Sequence, residues 1–185
     1  STFLCRNHLK NAVDVCLKNF ARGRCFESLN GPIGEWDVSS VTDMDRIFNG
    51  AKSFNGDISE WDVSNVRTMK AMFAVATSFN SGISKWDVSS VADMSDMFWD
   101  SSSFNGDLSK WNVPSVTNMN MMFRDATLFN CNLAKWDVFR VEKMSGMFWG
   151  SRFFDEELSK WDVSSVTDTS QMFFNADSFN HDISK

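Results

Sequence analysis

The chain combines two hydrophobic patterns, and the combination recurs every 25 residues. A Trp is followed by Val two residues later, which is the alternation of a short strand with one face on a core. In the next segment, Met44, Ile47, Phe48 and Ala51 have the i, i+3, i+4, i+7 spacing of one helix face. The segment after it, "SFNGD", has the composition of a turn. The pattern predicts one short parallel strand and one short helix per unit.

Six such units of 25 residues fill residues 36–185 without an insertion. One unit cannot bury its apolar side alone, so we expect the units to stack, each packing like side chains on like. The predicted fold class is therefore an α/β repeat solenoid. Among the positions that never vary from unit to unit are one Trp column and two Phe columns: Trp36, Trp61, Trp86, Trp111, Trp136 and Trp161; Phe48, Phe73, Phe98, Phe123, Phe148 and Phe173; Phe54, Phe79, Phe104, Phe129, Phe154 and Phe179.

Residues 1–35 have no unit of this kind and form the predicted N-terminal helical cap. Their apolar residues fall on one helix face, and a helix there would cover the open end of the first unit. No comparable cap follows Lys185, so we expect further units or a partner at that end, and we interpret the chain as a piece of a longer protein. The residues of the cap face are Leu9, Val13, Cys16, Leu17 and Phe20.

The spacing Ile-x-x-Trp-x-Val-x-x-Val resembles the strand segment of leucine-rich repeats. The stretch "FNGDISEWDVSNVRTMKAMFAVATSF" more specifically resembles the repeat of the BspA-family leucine-rich-repeat surface proteins, and the resemblance covers residues 33–185. It implies a leucine-rich-repeat-like solenoid, an extracellular or cell-surface location, and adhesion or recognition rather than catalysis. It transfers no known site residue.

The net charge of −6 disfavours nucleic-acid binding, which needs a cationic surface against phosphates. No apolar run approaches the roughly twenty residues that span a bilayer, so we expect no direct membrane insertion. Catalysis is also disfavoured: the two histidines, His8 and His181, lie at opposite ends of the predicted stack, and no metal or phosphate-loop motif is present. We predict that the chain is not an enzyme and has no cofactor.

Polar residues recur at two fixed positions of the unit and form two columns along the stack. The residue between Trp and Val would face outward and form an exposed sheet ladder. This ladder would serve as a recognition surface or as a row of weak calcium sites. Alternatively, it would only keep the sheet soluble, because a neighbouring Lys column neutralises its charge. An Asn column in the turn is interpreted as a structural hydrogen-bonding ladder. The outward ladder is Asp37, Asp62, Asp87, Asn112, Asp137 and Asp162; the Asn column is Asn55, Asn80, Asn105, Asn130 and Asn180.

Bulky residues outside the core columns are the candidate partner-binding residues, because exposed apolar side chains beside an Arg are typical of contact patches. They would otherwise fill gaps between units. These candidates are Phe139, Arg140, Trp99, Trp149 and Phe174.

The cysteines of the cap leave their pairing open. Cys5 and Cys16 lie too far apart along one helix to bond to each other. Cys25 is within reach of either across the turn that follows, and free buried thiols are an equal alternative.

Together these patterns favour a secreted or cell-surface module that binds a protein or glycan through the face of the stack. The alternative is an architectural spacer that self-associates through its uncapped C-terminal end. A calcium-binding surface is a third class of function.

Overall fold

The computed structural model describes residues 1–25 and 29–182. Within them are one α-helix, α1, at Arg6–Asn19, and a one-turn 3-10 helix at Ile33–Glu35. The rest is a succession of turns joined by isolated parallel bridges. None of the helices in the described part of the chain is long and apolar enough to cross a membrane.

The predicted α/β solenoid, with one strand and one helix in each unit, is wrong. The described residues contain no strand, and the only α-helix lies before the first unit. Around each Trp-Asp-Val triplet the chain turns instead of extending. Val41 N donates to Val38 O at 2.8 Å, and the carboxylate of Asp37 accepts hydrogen bonds from Ser39 N and Oγ. An Asp that bonds the backbone two residues on favours a turn over a strand.

The segment that follows each triplet is not a helix because its backbone changes handedness. Arg46 and Gly50 have φ of +57° and +73°, and corresponding residues of the later units are also positive. An α-helix needs uniformly right-handed residues and i to i−4 hydrogen bonds. Here Ile47 N donates to Met44 O and Ala51 N to Phe48 O, so two short turns replace the helix. The turns still direct the four apolar side chains inward, which explains why the spacing resembled that of a helix.

Neighbouring units are joined by backbone hydrogen bonds at a constant register. Alternate N–H groups that a helix would use internally donate to carbonyl oxygens of the next unit, and isolated parallel bridges join residues 25 apart. A separate bridge joins Asp37 of the first Trp-Asp-Val triplet to Thr2. The bridges between units lie just before the Met column, not at the triplets where a sheet was predicted. They run from Asp43 to Thr68, Asp93, Asn118, Lys143 and Asp168.

The core contains two parallel rows of stacked phenylalanine rings. Within the row that starts at Phe48, centroids of successive rings are 5.4 to 5.7 Å apart. Within the row that starts at Phe54 they are 5.8 to 6.0 Å apart, and the two rows are 3.9 to 4.0 Å from each other. Each internal ring is therefore in contact on three sides, which makes these rows the main apolar contribution to stability.

Asparagine side chains form a second ladder through the turns, as predicted. The side-chain oxygen of Asn80 accepts from Asn105 N at 2.9 Å, and Asn105 accepts from Asn130 N at 2.9 Å. Each amide thus pairs a turn N–H of the next unit, which would otherwise lack a partner.

Helix α1 packs over the first unit through Leu9, Val13 and Cys16, which are all buried. This agrees with the apolar face predicted from the sequence. Arg6 joins the helix to the first unit, because its Nε donates a hydrogen bond to Asp45 O at 2.7 Å. A disulfide joins Cys16 to Cys25, with a Cα–Cα distance of 5.5 Å.

The Asp–Ser turns lower the pKa of several carboxyl groups. In Asp87 the hydroxyl and then the backbone N–H of Ser89 donate to the carboxylate, and these bonds outweigh the opposing effect of burial on the pKa. The pKa values of Asp57 and Asp107 are lowered by the same two bonds from Ser59 and Ser109. A folded-state pKa below the unfolded value of 3.8 stabilises the fold above about pH 4.

We therefore expect the free energy of unfolding to fall as the pH is lowered below about 4, as these carboxylates become protonated. Ser89→Ala should weaken that dependence, because Asp87 loses the larger of its two hydrogen bonds. Urea unfolding at pH 6 and pH 3 measures both effects. Ser90→Ala is the control, and an equal pH dependence in both variants would contradict the assignment.

Candidate functional site

One row of exposed and half-buried side chains combines aromatic rings with a cation. In each unit one residue directly follows the Phe of the row that starts at Phe48. In the third to sixth units these residues are Trp99, Arg124, Trp149 and Phe174, and we call them the aromatic–arginine ladder. Each follows the turn whose left-handed residue breaks the helix pattern; Trp149 N, for example, donates to Gly146 O at 3.1 Å. Because the Phe before it points into the core, the ladder residue points outward.

Arg124 lies between the two tryptophans. Its guanidinium carbon is 4.4 Å from the ring centroid of Trp149 and 5.8 Å from that of Trp99. Both distances are within the range of cation–π attraction. The row continues as an edge-to-face contact of 4.9 Å between Trp149 and Phe174. The four side chains therefore form one continuous surface that is partly organised before any partner binds.

A carboxylate holds the arginine in place. Asp125 Oδ2 lies 3.3 Å from Arg124 Nε, and Asp125 N donates to Trp149 O. The Asp125 carboxylate lies against the backbone of Gly150, where an added Cβ would be only 2.2 Å from Oδ1. Gly150 also has a φ of +68°. Glycine at this position therefore makes room for the carboxylate that orients Arg124.

Gly150→Ala should lower the free energy of unfolding by about 1–2 kcal/mol for the left-handed backbone, with a further loss from the clash. Gly50→Ala is a matched control, because Gly50 has a φ of +73° with nothing within 4 Å of an added Cβ. Urea unfolding of the two variants separates the cost of the backbone from that of the contact. Equal losses would show that the Asp125 contact contributes nothing.

The half-buried carboxyl group of Asp96 lies close enough to Arg124 of the ladder to feel its charge. Burial raises the pKa of Asp96, and this effect exceeds that of the positive charges of Lys70 and Arg124, which lower it. The pKa shift of Asp96 has the opposite sign to the shifts in the Asp–Ser turns. Ionisation of Asp96 therefore destabilises the fold at neutral pH.

The other two candidate residues are exposed but do not join the ladder. Phe139 is 53% exposed and Arg140 is also exposed, in the turn that follows Trp136. In the described part of the chain, no ring contact or cation–π contact connects them to the ladder. They remain a separate predicted patch.

The residues of the outward ladder are exposed, but they do not lie on a sheet. Each Asp is engaged by its own turn, as in Asp62, whose Oδ1 accepts from Ser64 N and Oγ. Lys85 pairs with Glu60 at 3.2 Å and not with a neighbouring Asp of this column. Among residues 1–25 and 29–182, no three or more His, Cys, Asp or Glu side chains gather in a way that could hold a metal ion. The residues concerned are Asp37, Asp62, Asp87, Asn112, Asp137 and Asp162.

Arg124 is the ladder residue that the sequence interpretation left out. The bulky departures at Trp99, Trp149 and Phe174 were singled out because they are apolar. The signal for Arg124 was its place in the same column, 25 residues from each Trp. Comparing the residues of this column across all six units would have found it.

The contacts define the class of protein: an acidic chain whose successive 25-residue units are bonded in register around buried rows of aromatic rings. The chain belongs to the family described as Mycoplasma protein of unknown function, DUF285, whose model matches residues 17–132 and again residues 82–185. No curated protein and no solved structure matches the chain significantly.

Proposed function

We propose that this chain is a recognition or adhesion module of the BspA-like surface type, secreted or at the cell surface, and that it binds a protein through the aromatic–arginine ladder. The ladder is the observation that carries the proposal. The proposal involves neither catalysis nor a cofactor.

The chemistry of the ladder suits a protein partner. Trp and Arg are enriched among the residues that dominate protein–protein binding energies. Arg124 is restrained by two rings and by Asp125, so little side-chain freedom remains to be lost on binding. Trp99 and Phe174 at the two ends of the row leave apolar area accessible to a partner. A glycan that stacks on the same rings is the alternative ligand.

The test is a cross-linking pull-down from cell-surface extract with the wild-type chain and an Arg124→Ser/Trp149→Ser variant. Two controls change other exposed residues: Phe139→Ser/Arg140→Ser and Phe153→Ser. Circular dichroism verifies that each variant is folded. We expect one protein captured by the wild type and by both controls to be lost from the ladder variant.

Each of the other outcomes would indicate a different site or ligand class, or would exclude both patches. Loss of capture only in Phe139→Ser/Arg140→Ser would place recognition at the other predicted patch. A glycan array bound by the wild type but not by the ladder variant, with no protein captured, would change the ligand class. Equal capture by all four chains would remove both patches from the proposal.

A second candidate function is an architectural module that self-associates through its C-terminal end. Sedimentation over a hundredfold range of protein concentration tests this alternative. A mass that rises with concentration supports it, and a constant monomer mass contradicts it.

A further inference from the structure

One methionine of the chain lies outside the core. Nine of the eleven methionines are fully buried, and Met121 and Met172 are half-buried. Met172 belongs to a core column and packs against the buried cluster. Met121 instead occupies a unit position that is charged, polar or small in the other five units, including Arg46, Asp96 and Gln171. The thioether of Met121 is therefore more accessible to solvent than the nine buried ones.

The sulfur of Met121 lies against Arg124 of the ladder. Arg124 Nη1 donates to Met121 Sδ at 3.8 Å, and Arg124 N donates to Met121 O at 3.1 Å in the turn that joins the two residues. Gly146 in the next unit leaves room for the side chain, since an added Cβ would be 3.4 Å from Met121 Cγ. A thioether is only a weak acceptor. Arg124 therefore has one N–H donor whose partner is weak.

Oxidation of the sulfur would turn this weak acceptor into a strong one. A peroxide transfers one oxygen atom: the sulfur lone pair forms the S–O bond, the O–O bond breaks, and the departing hydroxide takes the proton of the transferred oxygen and leaves as water. The sulfur loses two electrons and the peroxide gains them. The product is a polar sulfoxide, which reductases return to the thioether. A sulfoxide oxygen on Sδ that faces a guanidinium N–H makes a charge-assisted hydrogen bond.

We propose that Met121 is a reversible oxidation site for peroxides, and that its sulfoxide oxygen accepts a hydrogen bond from Arg124 Nη1. The contact is in place beforehand, since Nη1 and Sδ already face each other in the reduced chain. The consequence for a partner rests on the proposed function. Arg124 of the oxidised chain has one donor fewer to offer, so binding through the ladder weakens.

The first test is the order in which the methionines are oxidised. The full chain is treated with dilute hydrogen peroxide and digested, and fragmentation mass spectrometry locates the added oxygen. Met119 and Met122 are the comparators, because both are fully buried and lie within two residues of Met121 along the chain. We expect Met121 to be oxidised at least about tenfold faster, since buried thioethers react only when the fold opens locally. Equal rates at the three positions would overturn the proposal.

The second test is the reactivity of the Arg124 guanidinium. Phenylglyoxal modifies guanidinium groups whose N–H donors are free, and Arg140 is the comparator because it is exposed. We expect peroxide treatment to slow the labelling of Arg124 about tenfold, as for a hydrogen bond to a charged group, and to leave the labelling of Arg140 unchanged. Met121→Leu keeps an apolar side chain that cannot take up an oxygen, so peroxide should not affect Arg124 in this variant. Neither test uses a partner, so this proposal and the proposed function can fail separately.

Met121→Gln tests the contact without an oxidant. The Gln carbonyl oxygen is bonded to the atom that corresponds to Sδ, and Gln171 has the same backbone conformation in the sixth unit, with a φ of +57° against +53° for Met121. We expect Arg124 of untreated Met121→Gln to be labelled as slowly as that of the oxidised wild type. If this variant does not fold, the comparison of wild type with Met121→Leu still decides. Labelling of folded Met121→Gln at the wild-type rate, unchanged labelling of the oxidised wild type, or equal slowing in Met121→Leu would contradict the proposal.

Discussion

Phe98→Ala is expected to lower the free energy of unfolding by about 3–5 kcal/mol. The Phe98 ring is fully buried and stacks on Phe104 at 4.0 Å and on Phe73 and Phe123 at 5.6 Å each. Its removal leaves a cavity that the bonded register of the neighbouring units prevents from collapsing. Urea unfolding followed by circular dichroism measures the loss.

Phe153→Ala is the matched control, because Phe153 is 56% exposed and outside both core rows. We expect its stability to stay within about 0.5 kcal/mol of the wild type. A loss below about 1 kcal/mol for Phe98→Ala would show that the stacked rows are not the main source of stability.

Cys25→Ser is expected to lower the free energy of unfolding by about 2–4 kcal/mol. The disulfide joins Cys16 of α1 to Cys25 in the turn after it and closes a short loop, and both cysteines are buried. Its loss increases the freedom of the unfolded chain and removes a covalent attachment of α1. Thermal unfolding of oxidised wild type and of the variant measures the difference.

Cys131→Ser is the control, since Cys131 is a buried free thiol. Burial raises the pKa of the Cys131 thiol, which makes it a poor nucleophile for disulfide exchange. Alkylation of the unfolded, unreduced chain should label two cysteines in the wild type, Cys5 and Cys131. Four labelled cysteines would contradict the disulfide.

The sequence predicted which residues are buried better than it predicted the conformation of the backbone. Trp61, Val63 and Phe73 are buried as their spacing indicated. The strand and helix assigned to them are absent, because side-chain periodicity reports which residues face the core and not the φ and ψ angles that bring them there. The positive φ at residues such as Ala71 and Val75 is unusual for these residue types and has no signal in the sequence.

The candidate site was predicted in part. The sequence indicated Trp99, Trp149 and Phe174 as departures from the unit. It did not indicate that Arg124 would lie between the two tryptophans, because that contact depends on the ring orientations and on the carboxylate of Asp125. Phe139 and Arg140 remain a prediction, exposed but with no contact to the ladder in the described structure.

The order of residues was enough to predict the 25-residue spacing, the residues of the core columns, the apolar face of α1 and the acidic balance of the chain. These depend on side-chain hydrophobicity and charge, which composition and order express directly. The path of the backbone, the pairing of Cys16 with Cys25 and the position of Arg124 became visible only in the folded chain. These depend on hydrogen bonds and contacts between units, where each unit supplies the partners that the next one lacks.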